Sequence, residues 1–199
     1  MKIQEFIMKV LAISKIGKRY SHDPYALENY EELENLAIEQ LSNLVNEEID
    51  TNPYDRDLYP TVNCSVRTIV TNEHNQVLMV KEKSEQLWSF PGGWADVFES
   101  PQENAKKEVY QESGYDVDIT RLLAVFFRDN YKPTDCLLVS EYVLYFHGVV
   151  KERLKNFNHE IVDIGFFEMN DLPPLSTKNS QIEVERALAC LNQNQTTFD

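Results

Sequence analysis

The sequence predicts an α/β fold, a layered core of mixed sheet preceded by a small helical domain. Three observations predict it. Residues 1–50 repeat apolar side chains at helical spacing. Residues 61–90 and 119–169 hold runs of β-branched and aromatic residues of strand length. Between those runs lies one strongly capped helix, and another helix closes the chain.

The chain has 199 residues, 42% hydrophobic and 26% charged, which suits one domain with an appendage or two small domains. Boundaries are expected at 1–50 for a helical pair, 51–60 for a linker and 61–199 for the main domain. In the pair, Ile3, Phe6, Ile7, Val10 and Leu11 make the first stripe, and Gly17 is expected to end that helix. Asp23 is a candidate N-cap with Pro24 at the first helical position. Leu27, Tyr30, Leu33, Ala37, Leu41 and Leu44 then form a second stripe. Two helices alone bury too little to be stable, so they should pack on the rest of the chain or on a second copy. The first helix is basic and could suit a membrane surface; a packing helix with its charges on the wet face is expected.

The linker TNPYDRDLYP has two prolines and no periodicity. Strands are then expected at VNCSVRTIVT, VLMVKEK and LWSF, with the polar turn NEHNQ between the first two. Further strands are expected at ITRLLAVFF, CLLVSEYVLYFHGVV and IVDIGFFEM. NSQIEVERALACLNQ reads as the closing helix, with Ile182, Leu188 and Leu191 inward.

Charge and cysteine usage bound the function. The formal net charge is −14. Residues 1–20 carry five cations against Glu5, a surplus of +4, so the remainder carries −18. That body repels nucleic acid, although a small phosphorylated ligand can approach if cations bridge the like charges. No apolar run is long enough for a bilayer, and Lys9, Lys15 and Lys18 interrupt any signal-peptide core. Cys64, Cys136 and Cys190 suggest neither a disulfide framework nor a zinc site, so a reducing, cytoplasmic setting is expected.

Residues 93–115 read GWADVFESPQENAKKEVYQESGY. Ser100 with Glu103 is a capping box, Pro101 takes the first helical position, and Gly114 supplies the C-terminal stop. Glu108 and Glu112 are one turn apart, where like charges cost roughly 0.2–0.5 kcal/mol. Oxygen ligands on one stripe select hard cations such as Mg²⁺ or Mn²⁺, and such an ion relieves the repulsion. Pro91-Gly92-Gly93 just upstream forms a bend without bulky side chains.

The whole spacing resembles the signature of the Nudix hydrolases. Gly93, Glu99, Glu108, Val109, Glu112 and Gly114 match it, while Lys107 replaces an arginine, Gln111 a glutamate and Tyr115 an aliphatic residue. SHDPYALENYEEL, PGGWAD and GFFEMNDLPPLS further resemble a bacterial subgroup with an N-terminal helical extension, which includes CDP-choline pyrophosphatases and ADP-ribose-type hydrolases. The resemblance implies an α/β/α sandwich and Mg²⁺-dependent hydrolysis of a diphosphate linkage in a nucleoside diphosphate-X. It implies Gly93, Glu108, Gln111 and Glu112 as metal ligands, with Glu99 paired to Lys107, and a homodimer built on the helical pair. Gln111, an amide without charge, is expected to weaken a metal site. A catalytically weakened nucleotide-binding regulator, or hydrolysis of non-standard nucleoside triphosphates, is the alternative.

Other candidates follow from position. Glu160, just before a strand, reads as a general base or as an exposed loop carboxylate, with Asp163 second. Arg67 interrupts an apolar strand and reads as a phosphate contact or an outward charge; Lys81 is similar. Trp94, Phe98, Phe126, Phe127 and Tyr131 are candidates to stack on a base, Trp94 foremost. His22, His74, His147 and His159 show no ligand spacing.

Overall fold

The computed structural model describes residues 1–56, 59–131, 140–155, 157–193 and 195–199. They form two compact units, one built on Met1–Asn63 and one on Cys64–Pro133 with Glu141–Asp199.

In the first unit, α1 (Ile3–Tyr20) packs on α2 (Pro24–Val45). Ile7, Met8 and Leu11 meet Ala37, Leu41 and Tyr54 in one buried cluster. Asp23 caps α2 by accepting the Tyr25 N–H at 3.2 Å. Gly17 does not end α1. It seats the Tyr30 ring of α2, since a Cβ there would lie 2.4 Å from that ring. The expected linker is stitched down at its start. The buried Asn52 amide donates to the Leu11 carbonyl at 3.1 Å and to Glu34 Oε1 at 2.6 Å, and Lys15 pairs with Asp55. The stripes are wider than the core needs: Ile3, Phe6, Ile13, Leu33, Leu36 and Leu44 remain exposed.

The second unit is a mixed sheet between two helices. Its strands are β1 (Asn63–Thr71), β2 (Val77–Glu82), β3 (Trp88–Ser89), β4 (Tyr115–Phe127), β5 (Glu141–Arg153), β6 (Ile161–Phe167) and β7 (Thr197–Phe198). The order is β3-β2-β1-β5-β4-β7, with β6 also paired to β2. β4 runs antiparallel to β5 and parallel to β7, so the sheet is mixed. Helix α3 (Pro101–Ser113) covers one face, where Val66 meets Ala105 and Val70 meets Val109. Helix α4 (Gln181–Ala189) covers the other, where Ile69, Phe90, Phe126 and Tyr145 meet Val184 and Ala187. Strands alternate their side chains, so one strand feeds both cores.

Several expectations are corrected. The CLL and V of CLLVSEYVLYFHGVV lie outside the described residues, and β5 continues past that run to Arg153. Strand β4 starts at Tyr115, earlier than expected, because long pairing with β5 satisfies its backbone. Ile182 faces solvent, because α4 aims Glu183, Val184 and Ala187 at the sheet. Phe126 and Tyr131 are core residues packed on each other, not free to stack on a base.

Candidate active site

The site starts with two glycines laid against β1. The segment 91–95 runs beside that strand: Thr68 N donates to the Pro91 carbonyl, Val66 N to Gly93 and Ala95 N to Cys64, all at 2.9 Å. A Cβ on Gly92 would lie 2.1 Å from the Val66 carbonyl oxygen, closer than any side chain permits. On Gly93 it would lie 3.0 Å from Glu108 Oε1. The bare backbone therefore lets β1, the bend and α3 converge.

Helix α3 is fixed at both ends. Ser100 Oγ accepts the Glu103 N–H at 3.2 Å, and Glu103 returns the bond to Ser100 N at 2.8 Å. Gly114 turns left-handed at φ 77 and donates to the Tyr110 carbonyl. With Ala105 and Val109 locked into the sheet, Glu108 and Glu112 must point at the glycine bend. Glu112 is 4% exposed and accepts the Gly92 N–H at 2.9 Å. Gln111 lies on the exposed side, and its backbone carbonyl accepts the Asn158 N–H.

The electrostatics are those of acids short of cations. Burial pushes the Glu112 carboxyl up to about 8 against the pull of the Gly92 N–H, with the nearby charges of Glu82 and Glu108 adding to the rise. Burial also raises Glu108, opposed by Lys107 and Arg67. Neither carboxylate has a salt bridge among the described residues. Arg67 is the converse case. It is 6% exposed, its Nη1 donates to the Val66 carbonyl at 2.7 Å, and its Nε has no partner among the described residues. A buried guanidinium without a bound carboxylate costs several kcal/mol, so it suits an incoming anion.

The structure brings Glu99 and Lys107 together, with Asp96 as a third partner: Lys107 Nζ lies 2.5 Å from a carboxylate oxygen of each. Trp94 is 53% exposed beside Gly93 and pairs across to Ser65. Lys81 sits on β2 between Trp88 and Asp163 and is only partly buried. Glu160 stands on an exposed turn whose backbone carbonyl accepts the Lys83 N–H. Three neighbours were not foreseen. Buried Asn104 holds the loop before α3 by accepting the Asp96 N–H at 2.7 Å and donating to the Ser100 carbonyl at 3.1 Å. Glu82 and Lys178 form a third acid and its cation, 2.7 Å apart. A carboxylate in the apolar run VLMVKE was the available signal for Glu82; for Lys178 there was none.

Residues 63–188 match the NUDIX domain family, and residues 1–52 match the UDP-X-like, N-terminal oligomerisation domain. This chain belongs to the Nudix family. The Bacillus subtilis protein YjhB, provisionally named an ADP-ribose pyrophosphatase, is 36% identical over 88% of this chain and 85% of its own length. The crystal structure of an ADP-ribose pyrophosphatase from Streptococcus suis is 31% identical, with TM-score 0.60, over 70% of this chain and all of that one. A UDP-X diphosphatase structure is 26% identical, with TM-score 0.64, over 98% of this chain and 97% of that one. The protein is thus a Nudix hydrolase of the pyrophosphatase kind with a helical N-terminal domain.

Nudix hydrolases generally use divalent cations. The donors here fit one. Glu108 and Glu112 are hard oxygen ligands, raised toward protonation by burial, and the Gly93 carbonyl, in the bend they adjoin, already accepts the Val66 N–H at 2.9 Å. Among the described residues no three Asp, Glu, His or Cys side chains close around one point. Mg²⁺ is commonly held by one or two carboxylates, with water and phosphate oxygens completing its shell. No helix among the described residues is long and apolar enough to cross a membrane.

Proposed function

We propose that this Nudix hydrolase cleaves the diphosphate linkage of a nucleoside diphosphate-X with Mg²⁺, releasing a nucleoside monophosphate and phospho-X. ADP-ribose and CDP-choline are the first candidates, and the two ADP-ribose pyrophosphatase relatives favour ADP-ribose. One observation carries the reading: two carboxylates with no salt bridge among the described residues face a glycine bend, close to a buried guanidinium that likewise has none among them. A diphosphate together with a hard cation answers both needs.

In this reading Glu108, Glu112 and the Gly93 carbonyl hold the cation, with Gln111 as a weak further ligand. The cation, when bound, screens the diphosphate and promotes attack by water. Arg67 neutralises a phosphate oxygen from below the bend, and Lys81 lies at the rim. Trp94, exposed beside Gly93, stacks on the base. Glu160 accepts the proton of the attacking water, brought in by its loop. Lys107 with Glu99, and Gly114 at the helix end, keep α3 in place. The N-terminal helices assemble a homodimer through the exposed apolar residues of α1 and α2.

The test is a panel of nucleoside diphosphate derivatives with Mg²⁺ or Mn²⁺, products separated by chromatography. A nucleoside monophosphate plus phospho-X is expected, and release of inorganic pyrophosphate from triphosphates would instead support the alternative reading. Glu112→Gln should abolish turnover while leaving circular dichroism unchanged; full activity in that variant removes the mechanism.

A further inference from the structure

The loop between β6 and α4 is tied along β3 like a strap. Trp88 N donates to the Pro174 carbonyl at 3.0 Å, and Ser176 N to the Trp88 carbonyl at 2.7 Å. Thr177 donates twice to Glu85, through its N–H at 2.8 Å and its hydroxyl at 2.5 Å. Asn179 Oδ1 accepts the Phe90 N–H at 3.2 Å, and its amide donates to the Tyr145 hydroxyl at 3.0 Å. These bonds leave Lys178 one position open: its Nζ lies 2.7 Å from Glu82 Oε1.

That position is beside the carboxylate cluster. Three residues of the short segment 89–92 make the link. Ser89 donates its hydroxyl to Glu82 at 2.8 Å, Phe90 holds Asn179, and Gly92 holds Glu112 at 2.9 Å. Lys178 lowers both Glu108 and Glu112, and Glu82 raises Glu112, as expected of charges sharing one small region.

The two partners differ in exposure. Glu82 is buried, whereas the Lys178 side chain is 39% exposed. A core that needed only a neutral filler at Glu82 would carry an apolar residue, since a buried ion pair is a poor stabiliser. Here a buried acid holds a solvent-reachable ammonium at the mouth of a site that must take in a diphosphate. An ammonium is a compact, rotatable point charge, able to keep one bond to Glu82 and direct another outward.

We propose that Lys178 is a phosphate-binding catalytic residue of this hydrolase, contacting the diphosphate, with Glu82 as its positioning residue. The inference rests on the nucleoside diphosphate-X reading. Before substrate arrives, Lys178 balances the acidic cluster. With substrate and cation in place, it turns a donor to the phosphoryl oxygens and stabilises the charge that grows as the bridging bond breaks.

Lys178→Ala alone strands a buried carboxylate, so the decisive variant is Lys178→Ala with Glu82→Gln. With ADP-ribose and Mg²⁺, that double variant should melt within a few degrees of wild type, yet lose about 10- to 100-fold in kcat/KM. Lys178→Arg should recover most of the loss, and inhibition by the product AMP should weaken in the double variant and return with arginine. If the folded double variant keeps wild-type kcat/KM and AMP inhibition while Glu112→Gln is dead, the role of Lys178 is refuted and the hydrolase reading stands. If wild type cleaves no nucleoside diphosphate derivative, the nucleoside diphosphate-X reading fails, and if Glu112→Gln is fully active, the mechanism built on Glu112 fails; either result takes this inference with it.

Discussion

Replacing Gly92 by alanine adds one methyl group directly against the backbone of β1. The new Cβ would sit 2.1 Å from the Val66 carbonyl oxygen and 2.9 Å from the Arg67 Cα, where ordinary contact begins near 3.4 Å. Both obstacles are backbone atoms of a central strand, so the bend must move, by about 1 Å. Three bonds run through it: Thr68 N to Pro91, Val66 N to Gly93 and Gly92 N to Glu112. Weakening them at about 1 kcal/mol each gives roughly 3 kcal/mol of lost stability. A shift of that size at a reacting centre costs about 100-fold in rate. Urea unfolding should show a midpoint lower by roughly 1 M or more, and kcat/KM should fall by about two orders of magnitude. An unchanged midpoint with unchanged turnover would refute the claim that the bare backbone at this position joins β1 to α3.

Gln111→Glu adds a third carboxylate one turn from Glu108. It should lower the Mg²⁺ concentration for half-maximal rate at a stability cost of about 0.2–0.5 kcal/mol, and an unmoved Mg²⁺ titration rules out Gln111 as a weakened ligand. Tyr145→Phe removes a hydroxyl that donates to buried Glu183 at 2.8 Å and accepts from Asn179. Thermal unfolding should reveal a loss of about 1–3 kcal/mol; no change would mean that water replaces the hydroxyl. His147 is held by the hydroxyls of Thr71 and Thr120, and burial together with Arg121 pushes its imidazole below the usual range. The unfolded chain therefore takes up that proton first, so stability should decline as pH falls from about 6.5 toward the folded value. Urea midpoints across that window should be flatter in His147→Gln, and an identical slope removes His147 from the acid response.

Much of the site was legible because its instructions are local. Ser100 to Glu103, Glu108 to Glu112 and the stop at Gly114 involve residues three or four apart, and the helix repeat alone places them. The Glu99–Lys107 pair followed from the family spacing and is present. The exposed side of Gln111 was not legible, since the rotation of α3 depends on Ala105 and Val109 seating in a sheet formed by distant strands. The same gap explains Gly17, which stops many helices but here admits the Tyr30 ring, and Ile182, whose apolar character said nothing about which side of α4 meets the core.

The sequence by itself determined the helical pair, the capped helix with its two acids, and the family to which the chain belongs. These depend on short-range hydrogen bonds, on periodicity and on residue spacing along the chain. Only the tertiary structure decided that Arg67 is buried with a donor left open among the described residues, that Glu82 holds Lys178 beside those acids, and that Phe126 and Tyr131 belong to the core. Such pairings join residues far apart in the chain, and they arise from the order of strands and the packing of helices on the sheet.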